Sequence, residues 1–341
     1  MIHFLHPNAT AVSGGNIYNT HIIQHAQAAG FPLHPVTVDG AGAGADSARH
    51  SGAGAWLLWD SLLSRRLAES AGMITGVRHA LLIHYLASEN PLLSHGVRAE
   101  LLALEQRAAN AAQAFITTGQ GMAEVLRRRH PHLPVFVAEP GVDPLFSSQA
   151  AAREPAPDSS CVHLLTVANL LPAKGHLEIL AILGRLAATR WCWHIAGDDQ
   201  ADPAYSNRLH REIAAAGLRQ RIVLHGRLSQ AELARLMRRV QVLLCASHYE
   251  AYGMALAEAV ATGLPVISTR VGDAERLLRP GGNGLLVEVG DWLGLQHHLE
   301  SFIAGTTLQA PVTRISPART WQQAGADFIR ACQAMLRMPY A

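Results

Sequence analysis

Residues 249–266 read YEAYGMALAEAVATGLPV, and they place two acids at the start of an alanine-rich helix. Gly263 predicts the end of a helix that begins near Met254. Glu250 then precedes this helix, and Glu258 lies about one turn inside it. The stretch therefore predicts a helix whose amino terminus is flanked by two carboxylates.

The start of this helix is suited to bind a phosphate. The backbone N–H groups of Met254 and Ala255 have no partner inside the helix, and the helix dipole is positive at this end. Gly253 lets a ligand approach the backbone closely. Carboxylates beside a phosphate repel it unless hydroxyl groups of the same ligand donate to them. A nucleotide sugar satisfies both demands, with Glu258 on the ribose diol and Glu250 on the transferred sugar. Alternatively, the acids only stabilise the helix dipole.

Apolar strands alternate with helical stretches along the whole chain. We predict strands at 1–5, 33–38, 80–85, 114–117, 134–138, 162–168, 191–196, 222–225, 241–245, 264–268 and 285–288. We predict helices at 98–112, 121–129, 176–188, 204–216, 229–239 and 254–262. Strands separated by helices predict an α/β fold with parallel sheets covered on both faces.

The stretch SSQAAAREPAPDSS at 147–160 has the composition of a linker and divides the chain. We predict a first domain at 1–150 and a second at 151–316, each doubly wound. Residues 317–341 contain a final helix that could pack back on the first domain. Two facing α/β domains would bind a ligand in the cleft at the carboxyl ends of their strands.

The spacing of the two acids, E-A-Y-G-M-A-L-A-E, together with the G-L-P-V that follows, resembles the E-x7-E signature of retaining glycosyltransferases of family 4. The resemblance implies the GT-B fold, which consists of two facing Rossmann-like domains with an interdomain cleft. It also implies transfer of a hexose from UDP or GDP to a hydroxyl acceptor with retained anomeric configuration. In this family the departing phosphate takes the acceptor proton on the front face, and neither a metal nor a cofactor is needed.

The loop NLLPAKG at 169–175 resembles the phosphate-binding R-x4-K pair of the same family. Lys174 matches the lysine, and it follows a predicted strand, so it would neutralise the leaving phosphate. Asn169 stands where an arginine is usual. Either Asn169 supplies only a neutral donor, or another basic residue compensates.

In the first domain, SGGN at 13–16 resembles the glycine loop of the family. The resemblance implies that Gly14 and Gly15 position the acceptor and contact the diphosphate; a plain tight turn is the alternative. His84, at the end of the strand ALLIHY, matches a histidine that contacts the donor sugar in the family. A structural role at the strand end is equally open for it.

Two further turns resemble the nucleotide side of the family site. They are IAGDD at 195–199 and HGRLS at 225–229, and backbone groups near Arg227 and Leu228 would then face the nucleobase. No D-x-D metal motif lies in a strand-end loop. Instead, we predict that the acids of this region, Asp198, Asp199 and Asp202, cap the helix after Pro203.

Composition excludes several other classes of function. A net charge of +2 with 16% charged residues argues against nucleic-acid binding. No apolar run is long enough for a membrane helix, and we expect a cytoplasmic enzyme. The basic run RRRH at 127–130 leaves a weak membrane-surface contact open.

Histidines and cysteines give no metal motif. The 19 histidines lack metal-ligand spacing, and the four cysteines are far apart, so we predict buried free thiols and no bound metal. The glycine-rich stretch at 38–46 has the wrong spacing for a dinucleotide fingerprint, and we predict a mobile loop within 40–60.

Two other functions remain possible from the sequence. One is a nucleotide-sugar epimerase or hydrolase, and the other is a subunit that binds a nucleotide sugar without turning it over. The donor base, the acceptor and the oligomeric state stay open.

Overall fold

The computed structural model describes residues 1–8, 13–38, 54–147, 154, 156, 158, 160–186, 188–278, 284–305 and 318–339. The chain divides into two compact units. Unit 1 contains Met1–Gly141 and Arg319–Ala341, and unit 2 contains Val142–Ala318. Each unit contains one parallel sheet covered by helices, as the sequence predicts.

Unit 1 is built on a six-stranded sheet in the order β2-β1-β3-β4-β5-β6. Its strands are β1 Ile2–Pro7, β2 Leu33–Val38, β3 Trp56–Asp60, β4 Arg78–Ile83, β5 Ala114–Thr117 and β6 Val135–Val137. All neighbouring pairs are parallel. The strand order reverses between β1 and β3, and ligands of such sheets bind at the carboxyl ends of the strands at this point.

The helices of unit 1 cover this sheet. They are α1 Gly14–Ala28, α2 Ser64–Ser70, α3 His95–Ala111, α4 Gln120–Arg129 and α11 Trp321–Leu336. The carboxyl-terminal helix α11 contacts α1 and strands β5 and β6. Its apolar face, with Phe328 and Cys332 fully buried, completes the core of unit 1.

Unit 2 has a second six-stranded parallel sheet in the order β12-β11-β10-β7-β8-β9. Its strands are β7 Val162–Val167, β8 Trp191–Ala196, β9 Ile222–Gly226, β10 Val242–Cys245, β11 Val266–Thr269 and β12 Gly284–Val287. In chain order this is the 3-2-1-4-5-6 arrangement of dinucleotide-binding folds, and its direction reverses between β7 and β10.

The helices of unit 2 begin and end at clear sequence signals. They are α5 His176–Arg185, α6 Pro203–Ala215, α7 Gln230–Arg239, α8 Met254–Thr262, α9 Ala274–Leu277 and α10 Trp292–Ile303. Ser229 and Glu232 form a capping box at α7, and Gly263 ends α8 in the left-handed conformation. Trp191 and Trp193 fill the core on one face of the sheet.

Most predicted strands and helices are confirmed within one to three residues. One strand and three helices of the described residues were missed, namely β3, α2, α9 and α10. The prediction of mobility through residues 40–60 is wrong for β3, because all five of its residues are buried. The rest of the glycine-rich stretch, residues 39–53, lies outside the described residues.

The prediction that the four cysteines are buried free thiols is correct only in part. All four cysteines are free, but only Cys332 is buried, whereas the other three are partly exposed.

Gly197, in the loop after β8, packs closely against the loop after β7. A Cβ at this position would collide with the carbonyl oxygen of Ala168, which is backbone and cannot move aside. We expect Gly197→Ala to lower the free energy of unfolding by about 1–3 kcal/mol in urea denaturation. The control is Gly184→Ala at an exposed position of helix α5, where a Cβ meets nothing within 4 Å, and it should raise stability by up to about 1 kcal/mol. Equal stabilities of the two variants would contradict this packing.

Candidate functional site

The loops after β7 and β10 meet at the point where the strand order of unit 2 reverses. Lys174 ends a short 3-10 turn after β7, and Glu250 follows β10. The Nζ atom of Lys174 lies 2.6 Å from Oε2 of Glu250, and both side chains are partly exposed. The backbone N–H of His248 donates to the carbonyl of Ala173 at 2.8 Å, which ties the two loops together. The two residues predicted from distant motifs are therefore direct partners.

Lys174 is also the only lysine among the 28 lysine and arginine residues of the sequence. Lysine carries a compact charge on a flexible stem, whereas arginine presents a planar fork. A single lysine in an arginine-rich chain, placed at the strand reversal, marks a position where the compact charge matters. The amino-acid composition shows that this lysine is unique, but the prediction of Lys174 from the sequence rested on the motif alone.

The start of α8 lies in the same region. The amides of Leu256 and Ala257 donate to the carbonyl of Gly253, and those of Met254 and Ala255 precede the first such bond. Gly253 has φ 103°, in the left-handed region that residues with a Cβ rarely adopt. The glycine is thus required by the backbone as well as by the close ligand approach predicted from sequence.

Glu258 lies in α8 and is buried, with 7% of its surface exposed. Burial, with a smaller contribution from the charge of Asp143, raises the pKa of Glu258 to about 8. At neutral pH the ligand-free protein therefore carries a carboxylic acid here, which can donate one hydrogen bond. The motif predicts an ionised acceptor at Glu258, because the burial of this side chain is not apparent from the sequence.

Asn169 and Arg227 are joined through Asp198. The backbone N–H of Asp198 donates to Oδ1 of Asn169 at 3.0 Å, and Nη2 of Arg227 lies 2.6 Å from Oδ2 of Asp198. The hydrogen bond from Arg227 lowers the pKa of Asp198. Asp198 therefore links the guanidinium group of Arg227 to Asn169, the position where the family has an arginine. Leu228 packs against the apolar core of unit 2.

The predicted capping acids separate into different roles. Asp202 is the N-cap of α6, since its side chain accepts from the amide of Tyr205 at 3.0 Å. Asp198 does not cap this helix, because its carboxylate pairs with Arg227. Asp199 accepts from the side chain of Gln200.

Unit 1 has a polar cluster at its own strand reversal. Asn19 of α1, which follows β1, donates to Asp60 at the end of β3 at 2.7 Å. Its Oδ1 lies 2.9 Å from Nε2 of His84, directly after β4, and this nitrogen is 3.5 Å from Asp60. Since Asn19 uses its amide group on Asp60, its oxygen accepts from Nε2–H of His84. A Cβ on Gly15 would lie 3.3 Å from the His84 ring, so the glycine leaves room for it.

Asn19 and Asp60 were not predicted from the sequence. Burial alone would raise the pKa of Asp60, but the hydrogen bond and charge of His84, together with the Leu62 amide and Asn19, hold it below its usual value. The acid at the end of the buried run WLLWD was the signal that could have found it. Gly14 begins α1 beside Gly15, and Ser13 caps this helix.

Two of the three arginines in the last turn of α4 have partners inside unit 1. Arg129 pairs with Glu89 and Glu105, and Arg127 donates to the carbonyl of Val135 at 3.3 Å. None of the described helices is both long and apolar enough to span a bilayer.

Comparison with known proteins relates unit 2 to a family. Residues 151–316 match the family described as Glycosyl transferases group 1. A D-inositol 3-phosphate glycosyltransferase of Arthrobacter sp. (strain FB24) is 30% identical in an alignment of 174 positions, which covers 46% of this chain and 40% of that protein. The chain spans between 36% and 54% of the length of the curated relatives it matches.

Solved structures share the fold over the whole chain. Sucrose-phosphate synthase from Thermosynechococcus elongatus has a TM-score of 0.74 and 19% identity, over 98% of this chain and 96% of that one. Anabaena Alr3699/HepE in complex with UDP and glucose has a TM-score of 0.71 and 16% identity, over 99% of both chains. These likenesses confirm the predicted GT-B fold, and the family match over residues 151–316 agrees with the resemblance predicted from the spacing of Glu250 and Glu258.

The raised pKa of Glu258 makes stability depend on pH. The folded protein keeps this proton up to about pH 8, whereas the unfolded chain loses it near 4.5. The folded state therefore binds more protons in this window, and the stability that comes from the neutral acid is lost as pH rises through about 8. Relative to wild type, Glu258→Gln should gain on the order of 2–5 kcal/mol of unfolding free energy between about pH 5 and pH 9.

Urea titrations of both proteins across this range measure the difference. Glu212→Gln on the exposed face of α6 is the matched control, and it should follow wild type. A difference between Glu258→Gln and wild type that stays constant with pH would show that the buried acid does not keep its proton.

Proposed function

We propose that this chain, whose residues 151–316 match the Glycosyl transferases group 1 family, transfers a hexose from a UDP- or GDP-sugar to a hydroxyl acceptor. The observation that carries the proposal is the contact of Lys174 with Glu250 at the strand reversal of unit 2, in the loop that leads to α8. A cation, an acid and a helix amino terminus in one place suit a ligand that carries both phosphate and hydroxyl groups.

The donor diphosphate would bind between Lys174 and the first amides of α8. Glu250 accepts from Lys174 in the ligand-free protein, so the pair is neutral before the donor binds. A diphosphate offers Lys174 a stronger anion, and Glu250 is then released to accept hydroxyl groups of the sugar. The exchange replaces one charged hydrogen bond by another, which keeps the lysine partnered in both states.

Glu258 would bind the ribose. As a neutral acid it offers one O–H donor and one carbonyl acceptor, which together match the two hydroxyl groups of a ribose diol. The low charge also limits repulsion of the nearby diphosphate. Burial thus resolves the problem of an acid close to a phosphate.

Arg227 is our candidate for the cation that compensates for Asn169. Its guanidinium group pairs with the carboxylate of Asp198, whose backbone N–H donates to Asn169, and this link supports the proposal. The pair with Asp198 is neutral, and a phosphate oxygen would share the guanidinium donors with the carboxylate.

In the transfer step, the bond between the anomeric carbon and the phosphate oxygen breaks while the acceptor oxygen bonds to the same face of that carbon. The departing phosphate oxygen takes the acceptor proton, and the anomeric configuration is retained. Lys174 and the amides of Met254 and Ala255 stabilise the charge that develops on the diphosphate. In this mechanism no side chain forms a covalent intermediate, and we propose that neither a metal nor a cofactor takes part.

The roles of His84, Gly14 and Gly15 follow from the resemblance and stay predictions, as does a location in the cytoplasm.

The test is binding and turnover of UDP-glucose and GDP-mannose. UDP-glucose is the first probe because the Alr3699/HepE neighbour was solved with UDP and glucose. We expect calorimetric binding of one of the two donors and transfer of its sugar to an added alcohol acceptor. Hydrolysis or epimerisation without transfer would support the competing enzyme class, and binding without any turnover would support a binding subunit. Absence of binding by both donors would contradict the proposal.

Lys174→Ala should lower kcat by about 10²–10³-fold, the loss typical of one oxyanion-stabilising donor. Lys174→Arg keeps the charge but changes its geometry, and it should recover only part of the rate. The control is Arg185→Ala on α5, whose exposed side chain contacts Gln296 at 2.7 Å. An unchanged kcat in Lys174→Ala would contradict the assigned role.

A further inference from the structure

Two cysteines and a histidine come together at the amino-terminal edge of the unit 2 sheet. The Sγ atoms of Cys161 and Cys192 are 2.9 Å apart, and Nε2 of His163 lies 3.5 Å from Sγ of Cys161. The three ligand atoms all lie within 4.8 Å of one another. This cluster takes no part in the proposed sugar transfer.

The sheet topology creates the cluster. Strands β7 and β8 are parallel neighbours, and His163 is in register with Cys192. Residues in register share a face of the sheet, and so do residues two apart on one strand. Cys161, His163 and Cys192 therefore point to one face, although 31 positions separate the two cysteines. Sequence spacing alone could not reveal this arrangement.

The histidine is oriented by further histidines on the same face. Nδ1 of His163 lies 2.9 Å from Nε2 of His194, whose Nδ1 lies 2.9 Å from Nε2 of His225. In one tautomer of this row, each Nδ1–H donates to the next Nε2, and Nε2 of His163 keeps its lone pair. This nitrogen also contacts the backbone of Asp158, with the carbonyl oxygen at 2.9 Å and the amide nitrogen at 3.3 Å, and a metal ion would replace these contacts. Metal-binding histidines are oriented in the same way, by a partner on the second ring nitrogen.

We propose that Cys161, Cys192 and His163 bind one Zn²⁺ ion. Thiolate and imidazole are the donors that zinc prefers, and tetrahedral coordination sets sulfur and nitrogen ligands roughly 3.5 Å apart, as Cys161 and His163 already are. The two sulfur atoms must separate by about 1 Å, which a small rotation of either side chain provides. The ion replaces the thiol protons, which are released on binding.

Asp158 lies close enough to Cys161 to supply a fourth ligand to the ion. Oδ2 of Asp158 lies 3.8 Å from Sγ of Cys161, and a carboxylate oxygen or a water molecule would complete the coordination. A surface cavity of about 570 Å³, lined in part by Ser160 and Cys161, gives access from solvent. The donor set is thus accessible from solvent and can be completed without a change of fold.

The site would be structural. Lys174 follows the carboxyl end of β7 and Cys161 precedes its amino end, so the six residues of the strand separate them by ~20 Å. The ion would tie β7 to β8 where the chain enters unit 2. Its existence does not depend on the proposed transfer activity.

Cobalt(II) distinguishes this site from the other histidines, because only thiolate ligands give a sulfur-to-metal charge-transfer band. We expect the reduced protein to bind one Co²⁺ with a two-thiolate band and intense visible absorption typical of tetrahedral sites, and one equivalent of Zn²⁺ should displace it. Cys161→Ser and Cys192→Ser should each halve the charge-transfer band, and the double variant should abolish it. His194→Leu should weaken zinc binding by about 10–100-fold.

The control is Cys332→Ala in the core of unit 1, which should leave the spectrum unchanged. Circular dichroism of each variant shows whether it is folded, and His163→Gln provides a second route if a cysteine variant fails to fold. A reduced wild-type protein without a charge-transfer band would overturn the proposal. A band that persists in the folded double variant would do the same, because the ion would then be bound elsewhere.

Discussion

The ion pair between Lys174 and Glu250 is the interaction on which the candidate site depends. It forms because the strand order of unit 2 reverses between β7 and β10, so the loops after these strands must leave the same edge of the sheet. Glycines make the meeting possible. Gly175 has φ 70° and packs against the backbone of Ala246, and Gly253 has φ 103° at the start of α8. The charge pair, the turn and the helix amides therefore form one unit.

Unit 1 uses the same topological device with different chemistry. Its strand order reverses between β1 and β3, and there Asn19 donates to the buried Asp60 while His84 contacts both. In unit 2 the acid at the reversal is partly exposed and faces a cation, so a ligand can compete for it. In unit 1 the acid is fully buried and serves to orient neighbouring side chains. Similar folds thus give a partly exposed ion pair in one unit and a buried polar network in the other.

The sequence predicted the elements that have clear periodicity and strong end signals, and it predicted the residues of local motifs such as Lys174, Glu250 and Gly253. It missed β3 because WLLWD is a short apolar run beside a glycine-rich stretch, and therefore missed Asp60. Properties that arise from folding were also out of reach. The neutral state of Glu258 depends on burial, Asn169 and Arg227 are linked only through Asp198, and Cys161 meets Cys192 only through strand register.

The central claim is that a nucleoside diphosphate displaces Glu250 from Lys174. Because Lys174 is the only lysine, reductive ¹³C-methylation labels this side chain and the terminal amine alone, and both keep their charge. Titration with UDP and GDP, followed by NMR, should shift the Lys174 resonance to saturation with at least one of them and leave the terminal signal unchanged. An unmoved Lys174 resonance, with calorimetry showing that the nucleotide is bound, would contradict the account.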